Sequence, residues 1–171
     1  MTKNKLRINS ELILLGIIIV FGFYVRYLNL FFEDYWIDEM LSFSNSDPKI
    51  SFIETIEKVK SSERTPALFF LFLKYIFKFF EYHPDVGRYF IMTLGVLAIP
   101  TSFLISKELK TKQSGLLFSF FIAANIYLII YSQEVRVYAL LFLISLINIF
   151  IFLKIINESD KKLIFFKGLF F

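Results

Sequence analysis

Residues Pro66 to Phe80 read PALFFLFLKYIFKFF, and whether this stretch crosses a membrane decides how the whole chain is threaded. It is 15 residues long, roughly 22 Å of helix against a bilayer core of about 30 Å. Lys74 and Lys78 are four apart and share one helix face. Loop charge decides the reading. If the stretch spans, Lys107, Lys110 and Lys112, and later Lys154, Lys161 and Lys162, fall on the side away from the N-terminus. If it lies along the interface, these lysines join Lys3, Lys5 and Arg7 on one side, as the excess of positive charge in cytoplasmic loops requires. The interfacial reading predicts a helix over 66–80 at the outer surface, a cytoplasmic N-terminus and an acidic outer loop.

Composition supports a membrane setting. Of 171 residues 57% are hydrophobic, 24 are Phe and the mean hydropathy is +0.64. A soluble domain of this size has too few polar residues to cover so much apolar surface. No Cys is present, which excludes disulfides and thiolate-held metals, and one histidine, His83, makes a histidine-based metal site a poor fit. The net charge of +4 fits cytoplasmic anchoring loops rather than nucleic acid.

Apolar periodicity and charge-free runs predict spans at about 12–30, 89–106, 115–131 and 137–155, with the start of another at 163. The first run is too long for a signal-peptide core and no small-residue cleavage site follows. Arg26, near its far end, reads as a side chain snorkelling to the outer interface. The expected fold is an all-α integral membrane bundle of several spans, one domain over 1–171, with amphipathic juxtamembrane helices in its extracytoplasmic first loop. Reaching Phe171 inside an apolar run, the chain reads as the N-terminal portion of a longer bundle.

The first loop, residues 33–64, carries Glu33, Asp34, Asp38, Glu39, Asp47, Glu54, Glu57 and Glu63 against Lys49, Lys58, Lys60 and Arg64. Within it Ser51-Phe52-Ile53-Glu54 has the capping-box pattern, followed by Ile56 and Val59 at helical spacing. This predicts a short amphipathic helix on the membrane surface.

Under this threading one surface collects Asp38 and Glu39, then Arg64-Thr65-Pro66, Arg88, and the turn Ser132-Gln133-Glu134-Val135-Arg136-Val137-Tyr138. Charges at the ends of apolar helices are costly without partners or purpose. A carboxylate can serve as general base toward a hydroxyl or amine. Arginines can hold a phosphate through paired, charge-assisted hydrogen bonds. Each feature also has a plain alternative: solvated loop acids, an interfacial Glu134–Arg136 pair of little energetic worth, and Arg88 as a snorkelling helix terminus.

The order of these pieces resembles the membrane glycosyltransferases of the GT-C type. The nearest resemblance is to the group holding dolichyl-phosphate-mannose–protein mannosyltransferases and bacterial lipid A or lipopolysaccharide-core sugar transferases. It rests on Arg26 at the end of the first span, Trp36-Ile37-Asp38-Glu39, Thr65-Pro66-Ala67-Leu68, the helix from Arg88 to the basic loop ending at Lys112, and Ser132-Gln133-Glu134-Val135-Arg136-Val137-Tyr138-Ala139-Leu140. The last motif is the most specific. Two positions depart from the pattern: Thr65-Pro66-Ala67 stands where relatives have His-Pro-Pro, and no second Asp follows the third span.

The resemblance implies transfer of a sugar from a polyprenyl-phosphate-linked donor to an extracytoplasmic glycan, lipid or protein acceptor. It implies Asp38 as catalytic base with Glu39 assisting, and Arg88, Glu134, Arg136, Tyr138, Gln133 and Arg64 as substrate-binding residues. No cofactor follows from it with certainty; a divalent metal is compatible. The implied location is the plasma membrane, with lipids as surroundings and a further chain or segment supplying the remaining helices. The competing expectation is a non-catalytic fragment or membrane subunit that needs such a partner.

Overall fold

A computed structural model describes the backbone of residues 2–63, 65–109 and 112–167 and the side chains of 10–63, 65–109 and 114–157. Its described elements are all helical, with no strand among them: α1 (Thr2–Tyr27), α2 (Ile37–Asn45), α3 (Phe52–Ser62), α4 (Leu68–Phe79), α5 (Pro84–Glu108), α6 (Lys112–Ala124), α7 (Ile126–Ile130) and α8 (Tyr138–Lys167). Among the described residues three stretches are long and apolar enough to cross a membrane: Ser10–Tyr27, Pro84–Glu108 and Tyr138–Asn157.

α5 is the hub, packing against α1, α4, α6 and α8. It starts at Pro84, five residues ahead of the span expected over 89–106, with Pro84 at the first helical position and Asp85 in the first turn. Ile91, Ala98, Ile99 and Phe103 bury its inner face. Ser102 Oγ and Ser119 Oγ, 3.2 Å apart, join α5 to α6. Close approach of the helices depends on two glycines. A Cβ at Gly22 would stand 2.2 Å from Ile99 Cδ1, and one at Gly95 would stand 2.4 Å from Ser132 Cβ.

The first loop folds as its signals direct. Asn29 takes a left-handed conformation (φ 63°), which Asn tolerates better than most residues, and turns the chain out of α1. Ser51 caps α3 by accepting from the Glu54 N–H at 3.1 Å, and Glu54 Oε2 accepts from the Ser51 N–H at 3.4 Å. α4 buries Phe69, Phe70, Leu73 and Phe77. Its Lys74 turns toward the start of α3, donating to the Ser51 carbonyl at 3.2 Å and to Thr55 Oγ1 at 2.8 Å. α4 has 12 residues, about 18 Å of helix, and is not among the three long apolar stretches.

The contacts give the bundle two distinct ends. At one, the end of α1, the first loop, the start of α5 and residues 122–138 converge. At the other, Asn157 Nδ2 donates to the Glu108 carbonyl at 2.7 Å, tying α8 to the end of α5.

Three features differ from the sequence reading. The apolar run 115–131 is two helices, because Asn125 is extended and its Oδ1 accepts from the Leu128 N–H at 3.1 Å, starting α7. α8 continues unbroken past Lys154 to Lys167, where lysines predict a loop and a new span at 163; the segment lacks Gly and Pro, and Lys and Glu are good helix formers. Arg26 does not snorkel outward: it is 0% exposed and turned into the bundle. The break at Asn125 is the physical reason, since it frees the last carbonyls of α6 to accept from a cation.

Candidate functional site

The centre of the gathered end is Glu39. At the third position of α2, its Oε2 accepts from the Trp36 N–H at 3.3 Å, half of a capping box. The same carboxylate accepts from Arg88 Nε at 3.1 Å and Nη2 at 2.7 Å, and from the Val135 N–H at 2.8 Å. Glu39 and Arg88 are both buried, at 2% and 3% exposure.

Arg88 is fully engaged. Nη1 donates to the Leu30 and Glu33 carbonyls at 2.9 Å each, and Nη2 also donates to the Asp34 carbonyl at 3.3 Å. With the two bonds to Glu39, each of its five N–H groups has an acceptor. Tyr35 lies under the guanidinium with its ring centroid 4.2 Å away, and its hydroxyl donates to Asp85. Burial and the Asp85 contact push the Tyr35 pKa upward, so it stays a neutral donor. Arg88 therefore knots the first loop to α5 and has no N–H left for a phosphate. The Val135 contact adds the later turn to the same knot.

Arg136 forms a second junction. Nη1 donates to Glu63 Oε1 at 2.8 Å, to the Asp38 carbonyl at 3.2 Å and to Ser42 Oγ at 3.4 Å; Nη2 donates to Glu63 Oε2 at 3.4 Å. The Asp38 carboxylate is 3.8 Å from Nη2, with its side chain 66% exposed. Burial lowers the Arg136 pKa, but the Glu63 bond and charge, together with Asp38, outweigh it and the net shift is upward. Asp38 is thus a carboxylate held beside a permanent cation and open to the exterior. Glu63, the principal partner of Arg136, is missing from the sequence-based set. Its signal was an acid closing α3, where the helix dipole disfavours negative charge and so points to a cation elsewhere.

Beside the knot lies a cleft of about 530 Å³, between the turn after α1 and the segment following Asn125. Asn29, Glu33, Trp36, Gln133 and Glu134 contribute to its lining, with Arg88 at its wall. Glu134 is half-buried; burial raises its pKa, aided by Glu39 and Glu33 and opposed by Arg136 and Arg88. Gln133 anchors the cleft by donating from Nε2 to the Arg26 and Leu28 carbonyls at 2.9 and 2.8 Å. Trp36, 62% exposed, presents an aromatic ring at the cleft.

Of the sequence-predicted residues, Asp38, Glu39, Arg88, Gln133, Glu134 and Arg136 come together at this end. Tyr138 stands beside Tyr131, ring centroids 4.9 Å apart, in a neighbouring smaller cavity. Arg64 lies outside the described residues. Among the described residues no group of three or more His, Asp or Glu side chains is placed to hold a metal ion. No protein-family model, curated protein or solved structure matches this chain.

Proposed function

We propose that this chain is a membrane glycosyltransferase, or the part of one that carries the base, moving a sugar from a polyprenyl-phosphate-linked donor to an acceptor on the extracytoplasmic face. The observation that carries the reading is the pairing of unlike roles in adjacent residues. Glu39 is buried and saturated, so it fixes the backbone of α2 and of the 132–138 turn. Asp38, one residue earlier, is exposed and salt-bridged at one edge to Arg136. Rigid support beneath an exposed carboxylate is what a positioned general base requires.

In this reading Asp38 takes the proton from an acceptor hydroxyl or amine as its oxygen or nitrogen bonds to the anomeric carbon. The bond from that carbon to the phosphate oxygen breaks, and the lipid phosphate leaves with the electron pair. Attack opposite the leaving group inverts the anomeric centre. Glu134 and Trp36 line the cleft beside the Glu39–Arg88 knot, where a sugar ring and its hydroxyls would be held. The acceptor is a glycan, lipid or protein. The three long apolar helices are the membrane anchor of a multi-pass protein of the plasma membrane, with the gathered end outside and the N-terminus cytoplasmic.

The test is Asp38→Asn in membranes supplied with a lipid-linked sugar. Loss of transfer by two orders of magnitude or more, with normal membrane insertion, is the expected result; near-normal turnover removes Asp38 as base. A second reading, a non-catalytic membrane subunit, draws on the completeness with which Arg88 and Glu39 satisfy each other. It requires that no lipid-linked sugar be consumed and that a partner chain co-purify.

A further inference from the structure

α8 carries a hydrogen-bonding amide at a place where a membrane offers it nothing. In the 20-residue apolar stretch Tyr138–Asn157, Asn148 stands at the middle, ten residues after Tyr138 and nine before Asn157. Its side chain is exposed and has no partner among the described residues. The bundle lies on the other side of the helix. Ala139, Leu143 and Leu146 are buried, and α8 packs on α5; at about 100° per residue Asn148 falls on the opposite face. The other amide of the helix, Asn157, is by contrast tied to Glu108. Hydrocarbon satisfies neither the N–H groups nor the oxygen of an amide, so Asn148 requires a polar partner at its own depth.

The face around it has the pattern of a helix contact. Leu141, Ser145, Asn148, Phe152 and Ile155 follow one another at spacings of four, three, four and three, and all five are exposed. An average of about 3.5 residues is the repeat by which two helices wrap in a shallow left-handed crossing. Ser145 is small, and its hydroxyl already donates to the Leu141 carbonyl at 2.8 Å. It therefore lets a neighbouring backbone approach beside Asn148 without a polar demand of its own. Lys154 falls well off this stripe, so no like charges meet across it.

We propose that the stripe from Leu141 to Ile155 is the contact between α8 and α8 of a second copy of this chain, with the two Asn148 amides bonding each other at its centre. An amide both donates and accepts, so two of them related by a twofold axis satisfy one another through reciprocal N–H···O bonds. Copies inserted with the same topology run parallel and bring their Asn148 side chains to one depth by symmetry. A lipid chain offers no such partner, and an unrelated helix offers one only if it carries a matching side chain at that depth. The pairing rests on α8 spanning a membrane and not on the transferase reading. It sets the gathered ends of both copies on the same side of the membrane.

The chain contains no cysteine, so single cysteines map the contact directly. Leu141→Cys, Ser145→Cys and Phe152→Cys, each in the full chain in membranes under mild oxidant, are expected to give disulfide-linked dimers. Ile147→Cys and Ile149→Cys flank Asn148 in depth but point about 100° to either side, and should give less than about a fifth of that yield. Asn148→Leu, an apolar change on an exposed face, should leave the unfolding midpoint in dilute micelles unchanged and weaken dimerisation at least about fivefold; Asn148→Gln should retain most of it. Equal linkage at all five positions, no linkage along the stripe, or Asn148→Leu dimers as strong as those of the parent overturns the proposal. So does a photoreactive residue at position 148 that labels only other chains. The cysteine map reads the contact in chains that keep Asn148, and neither readout depends on sugar transfer.

Discussion

Glu39 and Arg88, 49 residues apart in sequence, meet in a two-pronged ion pair with bonds of 3.1 and 2.7 Å, both side chains buried. Burying an ion pair gains little by itself, but removing one partner strands the other charge, typically at about 3–5 kcal/mol. Glu39→Gln and Arg88→Met should each destabilise the chain by that order, whereas Asp38→Asn, at an exposed carboxylate, should stay within about 0.5 kcal/mol. Urea unfolding in micelles reads the difference. Equal losses at positions 38 and 39 would dissolve the division of labour between these two acids.

Arg136 depends on Glu63 more than on Asp38, because the Glu63 bond is 2.8 Å against 3.8 Å for the Asp38 carboxylate. A double-mutant cycle over Glu63→Gln and Arg136→Met should return a coupling of about 2 kcal/mol, within the range for contacting charged residues. The same cycle with Asp38→Asn should return under about 1 kcal/mol, as for an exposed pair. A larger coupling to Asp38 would mean that Arg136 serves chiefly to hold that carboxylate.

Glu134 carries a pH signature. Its folded pKa is raised by burial and by Glu39 and Glu33 above an ordinary value of 4.5, so the folded state holds the proton more tightly than the unfolded chain. The stabilisation belonging to the protonated form is complete below about 4.5 and fades as pH rises through the raised folded value. Glu134→Gln, which cannot ionise, should therefore gain stability relative to the parent as pH climbs from 4.5 to 8. Thermal midpoints of both proteins across that range decide the matter, and a constant gap would show that Glu134 ionises as freely in the cleft as in water.

Much of this arrangement was legible in the sequence, and the exceptions share a cause. The Ser51–Glu54 cap and the apolar face of α4 are local signals, and each produced its element. The Asp38-Glu39 loop and the 132–138 turn also meet, as the threading chosen from loop charge expects. Partner choice was not legible: nothing near Glu39 in sequence says that Arg88 saturates it, or that Glu63 reaches Arg136. The break at Asn125 was hidden because a single capping side chain interrupts an otherwise uniform apolar run. Missing it also hid the reason for Arg26, since the Ile122 and Ala123 carbonyls that accept from it are free because α6 ends there.

Gly95 offers a packing test. An added methyl would stand 2.4 Å from Ser132 Cβ and 2.9 Å from Ser132 Oγ, between α5 and the turn that carries Gln133 and Glu134. Ser132 is itself buried, with Oγ donating to the Leu128 carbonyl at 2.7 Å or the Ile129 carbonyl at 2.8 Å, so it has little freedom to retreat. Gly95→Ala should cost about 1–3 kcal/mol through overpacking, against the gain of a few tenths to 1 kcal/mol that the change brings in an unhindered helix. At Gly16 an added methyl would meet nothing within 4 Å, so this position is the internal control and Gly16→Ala should be neutral or stabilising. The same sign at both positions would mean that the turn yields freely.

Asn125 and Arg26 should prove energetically coupled although no bond joins their side chains. Asn125→Ala removes the cap on the Leu128 N–H, a loss of about 1 kcal/mol. It also lets α6 run into α7, so that the Ile122 and Ala123 carbonyls pair within one helix and leave the Arg26 guanidinium without them. In a chain where Arg26 is already Met, that second penalty disappears and only the cap is lost. Asn125→Ala should therefore destabilise the parent more than the Arg26→Met background, with a coupling of about 1–3 kcal/mol. Unfolding midpoints of the four proteins in the same detergent measure it. Strict additivity would mean that the helix break and the buried arginine arise independently, and that the α6 carbonyls accept from Arg26 without depending on Asn125.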